Sequence, residues 1–203
     1  MNRQRELLMV FVRNAQIGQV KTRLAARIGP EAALEIYISL LNHTAAVASK
    51  LRCAKAVFYS EYTDEFDEFS DLEFYKFLQF GDDLGEKMKN AFVRMFGKGY
   101  DRIIIIGSDC LELDDQILRD AFYLLDKHDV VIGPARDGGY YLLGMKQLHH
   151  EFFKHKSWST SNVFLDTLLD VKAKNLTYAL LPELNDIDEF EDLPEHIRSQ
   201  FSL

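Results

Sequence analysis

Cysteine is scarce. Cys53 and Cys110 are the only two in 203 residues, so at most one disulfide is available. With no signal-like beginning, reduced thiols and a cytoplasmic location are expected. Positive charge is also in deficit: 24 Lys and Arg against 32 Asp and Glu leave a formal net charge of -8. Nucleic-acid binding needs a basic surface and is not expected. A small anionic substrate remains open, because a local cationic cluster can oppose the global sign. No apolar run approaches the ~20 residues of a membrane span. Linkers rich in Pro, Gly or Ser, internal repeats and low-complexity segments are lacking too, and residues 1–203 read as one domain. No Walker P-loop spacing, Ser-His-Asp or Cys-His arrangement, or ligand spacing among the six histidines can be singled out. The pair His149-His150 reads as surface.

What is present alternates. Short apolar runs at 7–12, 54–60, 74–79, 103–106, 129–135, 139–145 and 176–181 read as strands. Helical patterns cover 30–52, 82–96, 114–126, 162–173 and 190–201, with Gly85 an awkward residue in the second. Strands without polar alternation suit a parallel sheet covered on both faces. The expected fold class is therefore α/β, a three-layer αβα sandwich around a mostly parallel mixed sheet. The acidic stretch 61–71 is expected to be a solvated surface segment.

In such sheets ligands sit beyond the carboxyl ends of the strands. Three stretches fall there. Arg13 and then IGQVKTR, with Gly18, Lys21, Thr22 and Arg23, follow the first strand. Lysine and arginine at alternate positions offer cations to phosphate oxygens; the plainer reading is a basic turn. Asp109 follows the four isoleucines 103–106 through Gly107 and Ser108. Mg2+ takes one or two carboxylates plus phosphate oxygens, and Asp109 is available for that if Asp114 or Asp115 caps the next helix. Asp186 and Asp188 in NDIDEFEDL follow the last strand and could bring a second carboxylate to this edge. The third stretch, GPARDGGYY, places Asp137, Gly138 and Gly139 between two strands, where a hairpin turn is the bland explanation. In the WST run, Trp158 to Thr160, each residue alone suits core packing or helix capping.

GQVKTRLA, IIIIGSDC, DVVIGPARDGGYYLLGM, WST and NDIDEFEDL, in this order, resemble a family of small bacterial glycosyltransferase-like proteins of the GT-A (nucleotide-diphospho-sugar transferase-like) fold, many of unknown substrate. The chain is more distantly similar to the enzymes that attach GMP to 2-phospholactate or phosphoenolpyruvate, and to the molybdenum-cofactor nucleotidylyltransferases. The resemblance runs from about Met9 to Leu193. It implies that Lys21 and Arg23 hold nucleotide phosphates, and that Asp109 and Asp188 bind Mg2+ or Mn2+. Asp137, Gly138 and Gly139 would line the nucleotide or acceptor pocket, Trp158, Ser159 and Thr160 would face the acceptor, and Gly81–Gly85 would lie nearby. Two departures concern loop stiffness: NAQIG lacks the usual proline before Lys21, and Leu111 stands where a proline commonly follows Ser-Asp-Cys.

Two transferase chemistries compete. A metal-dependent glycosyltransferase of this fold often carries Asp-x-Asp at the end of its middle strand, but position 107 here is glycine. A single aspartate, a distant second one and a Lys/Arg pair suit nucleotidyl transfer from a nucleoside triphosphate to a small phosphorylated acceptor, whose own phosphate would be the nucleophile. Inverting glycosyl transfer from a nucleotide sugar would want a base within reach, for which Asp137 is the candidate. A non-catalytic nucleotide-binding protein is the third reading.

Overall fold

The computed structural model describes residues 5–154, 156–158 and 160–201. Seven strands, β1 (Glu6–Val12), β2 (Ala54–Tyr59), β3 (Phe74–Leu78), β4 (Arg102–Ile106), β5 (Val130–Pro134), β6 (Tyr140–Met145) and β7 (Tyr178–Leu180), form one sheet in the order β3-β2-β1-β4-β6-β5-β7. The pairings β1 with β2 and β4, β2 with β3, and β5 with β7 are parallel, whereas β6 is antiparallel to both β4 and β5. Six carboxyl ends and the amino end of β6 therefore share one edge of the sheet.

The unalternating apolar strands are explained by a core on each face. In β4, Ile104 and Ile106 enter one cluster and Ile103 and Ile105 the other, all at most 3% exposed. Such burial is worth roughly 1.5–3 kcal/mol per side chain. Helices α1 (Thr22–Ile28), α2 (Pro30–Ser49) and α4 (Asp115–Lys127) supply the first cluster. Helices α3 (Leu84–Gly97) and α5 (Val163–Ala173) supply the second. This is the expected three-layer arrangement. Among the described residues no helix is long and apolar enough to cross a membrane.

Several expectations are corrected. α1 is not among the expected helical patterns, the first of which begins at residue 30, and Gly29 (φ 90°) breaks it from α2. The helix expected over 190–201 is interrupted at Pro194, which leaves a 3-10 turn, Phe190–Asp192, and the short α6 (Glu195–Arg198); proline lacks the N–H and φ freedom to continue a helix. The acidic stretch 61–71 is mostly exposed, as expected, but it is anchored: Phe69 is fully buried, and the Asp67 carboxylate accepts from the Tyr59 hydroxyl and from Lys76 Nζ. His149 is buried at 7% exposure, while its neighbour His150 is exposed. A Cβ on Gly85 would overlap the indole of Trp158, so this glycine inside α3 is the seat of the tryptophan ring.

Candidate functional site

Lys21 is the N-cap residue of α1 and adopts the left-handed conformation (φ 49°, ψ 44°). For a residue with a Cβ this costs ~1–3 kcal/mol, and the surrounding structure must impose it. Val20 (2% exposed) and Leu24 (0%) bracket it in the core. The lysine stem is thereby drawn inward, and its side chain is only 4% exposed. Nζ lies 2.9 Å from Asp109 Oδ2 and 3.1 Å from Asp188 Oδ1. The charge that compensates Asp109 at the end of the isoleucine strand is thus the Lys21 ammonium, and Asp109 itself is half-buried. Burial disfavours the ammonium, but the attraction of Asp109 and Asp188 outweighs it and holds the Lys21 pKa above its usual value.

The helix cap expected of Asp114 is found: its carboxylate accepts from the Ile117 N–H at 2.8 Å. Asp109 is free of that duty. Asp188 reaches it because the Ile187 N–H donates to the Asp109 carbonyl at 2.8 Å, while the Ile187 side chain anchors in the core. Among the described residues the helical segments that follow have Glu189 and Pro194 at their N-caps, not Asp186 or Asp188. Asp192 organises this loop, its carboxylate accepting from the N–H groups of Asp188 (3.0 Å) and Glu189 (2.7 Å) and from Asn185 Nδ2 (3.2 Å). Asp186, half-buried beside this cluster, has its pKa pushed up to about 7, by burial first and then by repulsion from Asp109 and Asp137, with Lys21 opposing.

Arg23 is exposed, its Nη1 3.8 Å from both Asp188 Oδ2 and Glu189 Oε1. Arg13 presents its side chain at the surface while its backbone is fixed: the Tyr37 hydroxyl accepts from its N–H at 2.9 Å and donates to its carbonyl at 3.1 Å. That hydroxyl also lies 3.4 Å from Ser108 Oγ, which in turn lies 3.4 Å from Asp109 Oδ1. Tyr37, on α2, therefore links the loop after β1 to the loop after β4. Asn14 ties the first of these loops to the segment after β2, its Oδ1 accepting from the Glu61 N–H at 2.9 Å and its Nδ2 donating to the Tyr62 carbonyl at 2.8 Å. Sequence reasoning missed Tyr37, Asn14 and Asp192, since a tyrosine in a helix and polar loop residues carry no distinguishing pattern.

Asp137, Gly138 and Gly139 form the hairpin turn between β5 and β6. Asp137 Oδ1 accepts from the Gly139 N–H at 2.8 Å, and Gly138 takes φ 88° with the Ser161 backbone packed against its Cα. Through that contact and the indole seated on Gly85, the segment around Trp158 joins the turn to the start of α3. Thr160 Oγ1 donates to the Ser157 carbonyl at 2.7 Å; Ser159 lies outside the described residues. Gly18 is exposed with open space at its Cα, and Gly81 closes the turn into α3 against Glu86. The structure thus brings Lys21, Asp109, Asp188 and Asp186 into one cluster with Arg23 at its rim. Gly81, Gly138 and Trp158 belong to a neighbouring wall of the same sheet edge.

Among the described residues no three Cys, His, Asp or Glu side chains converge as a ready-made metal cage. Two carboxylates sharing one cation do fit a Mg2+-like ion that takes its remaining oxygens from phosphates and water. The Cys110 thiol, beside this cluster, is pushed up to about 12 by burial and by Asp186, and is no nucleophile at neutral pH.

Known proteins are similar to this chain in sequence and fold. A solved protein from Desulfovibrio desulfuricans G20, assigned as a nucleotide-diphospho-sugar transferase, superposes with a TM-score of 0.89 at 28% identity, over 97% of this chain and 88% of that one. The inositol-1-phosphate CTP transferase from T. maritima shares the fold at a TM-score of 0.56 and 12% identity, over 98% and 95% of the two chains. A 2-phospho-L-lactate guanylyltransferase from Methanocaldococcus sp. (strain FS406-22) is 28% identical over 193 residues, 93% of this chain and 80% of that relative. These are the nucleotide-diphospho-sugar transferase-like fold and the transferase relatives that the sequence motifs imply. Residues 43–160, more than half of the chain, match the family described as "Uncharacterized protein conserved in bacteria (DUF2064)", and the chain belongs to that family.

Proposed function

We propose that this chain is a metal-dependent nucleotidyltransferase that moves a nucleoside monophosphate from a triphosphate to a small phosphorylated acceptor. The observation that carries the reading is the buried Lys21 ammonium bridging Asp109 and Asp188 at the carboxyl edge of the sheet, with Arg23 at the rim. The guanylyltransferase relative supports it and makes GTP the first donor to test. A divalent ion held by Asp109 and Asp188 would, when bound, neutralise charge on the donor phosphates. Lys21 and Arg23 would orient those phosphates and stabilise the charge that builds up as the acceptor's phosphate oxygen attacks the α-phosphorus and pyrophosphate leaves. No protein base is needed, because the nucleophile is already an anion.

Glycosyl transfer is the second reading, favoured by the assignment of the Desulfovibrio desulfuricans G20 protein. It is weakened by Gly107, which leaves no Asp-x-Asp at β4, and less so by Asp137, one of whose carboxylate oxygens is engaged by the turn N–H. The test incubates the protein with α-phosphate-labelled nucleoside triphosphates, or with sugar-labelled nucleotide sugars, and a panel of phosphorylated acceptors. The expected outcome is label transfer from a triphosphate with Mg2+ or Mn2+, lowered about a hundredfold or more by Asp109→Asn. Transfer from a nucleotide sugar alone would favour the second reading; nucleotide binding with no turnover from any donor would favour a non-catalytic protein.

A further inference from the structure

A divalent cation held by Asp109 and Asp188 would need the same oxygens that Lys21 contacts. The ammonium already makes its two shortest contacts, at 2.9 and 3.1 Å, with Asp109 and Asp188. An ion that used both carboxylates would stand against that ammonium, and two cations at contact distance repel strongly in a half-buried site. Lys21 cannot simply swing into solvent. Its backbone is held in the left-handed conformation at the start of α1, and its side chain is 4% exposed. Arg23 is no substitute partner for the carboxylates, since it lies 3.8 Å from Asp188 and is 68% exposed, where solvent screens it.

Resting on the nucleotidyltransferase reading, we propose that Lys21 makes metal binding conditional on a phosphate: it occupies Asp109 and Asp188 against a free divalent cation and yields them when a ligand phosphate offers it another anion. Metal and phosphate then strengthen each other's binding, and by linkage they do so equally in both directions. The sign separates this role from a merely structural one. If Lys21 only held the site together, its removal would leave two mutually repelling carboxylates to drift apart, and metal affinity would fall or stay unchanged. If Lys21 competes with the metal, its removal raises the affinity.

The experiment titrates Mn2+ alone into the wild type, Lys21→Met and Asp109→Asn, reading free Mn2+ by electron paramagnetic resonance, and repeats the wild-type titration with inorganic phosphate. Lys21→Met is expected to bind Mn2+ on the order of tenfold more tightly than the wild type. Phosphate is expected to tighten Mn2+ binding to the wild type. Equal or weaker Mn2+ binding by a folded Lys21→Met overturns the proposal, yet leaves the metal site standing if Asp109→Asn abolishes binding. Mn2+ binding that Asp109→Asn does not change in any protein overturns the metal reading and this proposal together. Should Lys21→Met fail to fold, the wild type decides: Mn2+ affinity indifferent to phosphate overturns the proposal.

Discussion

Tyr37 shows how far a single hydroxyl can reach into a site. It serves both backbone groups of Arg13 and approaches Ser108, so its loss takes the partner from a part-buried N–H and carbonyl. Tyr37→Phe keeps the ring and its packing but should cost about 1–3 kcal/mol in thermal or denaturant unfolding. It should also slow label transfer with little change in donor KM, because Asp109 loses the support behind Ser108 while the exposed cations remain. Full-rate transfer by Tyr37→Phe would reduce Tyr37 to a packing residue. At this scale the sequence shows charges better than their supports. Asp109 stands out because a charge at the end of an apolar strand demands compensation, whereas Asp188 is singled out from Asp186 only by the family resemblance. What compensates Asp109 was not legible: the partner lies far earlier in the chain, and only the fold brings it within 2.9 Å.

Among the elements, strands and long helices were readable because apolar residues without alternation, or at helical spacing, fill most of them. The seven-residue α1 was not: Leu24 is its one buried residue, too few to set a period. The glycine in α3 illustrates the opposite failure, a residue that reads as a weakness in the helix and is a packing requirement. Alanine is favoured over glycine in helices by about 1 kcal/mol. Here the added methyl group would collide with the Trp158 ring. Gly85→Ala is therefore expected to lower the melting temperature, at a net cost of ~1–3 kcal/mol. Trp158 is the chain's single tryptophan, so its emission reports on this junction without interference. It should shift to the red as the indole is displaced towards water. A raised melting temperature with unchanged emission would show that the ring is not seated on α3.

For the whole molecule, two groups make stability depend on pH in opposite senses near neutrality. His149 is buried with no partner for Nε2 among the described residues, and burial lowers its pKa against the pull of Glu151 and Asp129, with Lys174 adding to the lowering. As the pH falls below the ordinary imidazole value of ~6.5, the unfolded chain binds a proton that the folded one resists, and stability falls. Asp186 does the reverse. Its folded-state pKa of about 7 exceeds the ordinary carboxyl value, so the folded chain holds a proton the unfolded one has released, and stability falls as the pH rises towards 7. The lowered carboxyl groups of Asp129 and Glu151 act in a more acidic window, losing stability only as the pH drops below about 4. In EDTA, Asp186→Asn should therefore be more stable than the wild type at about pH 8, by roughly 1–2 kcal/mol once solvent screening is allowed for, and close to it only at about pH 4. His149→Phe should leave the loss between about pH 5 and about pH 7 steeper than in the wild type, because the opposing slope is gone. Urea unfolding of the three proteins across this range checks both; three parallel profiles would contradict the assignment. A more stable Asp186→Asn would also identify the burial of the Asp186 carboxylate, and its crowding by Asp109 and Asp137, as a cost borne in the folded state, which is expected where a site is shaped for a ligand rather than for stability.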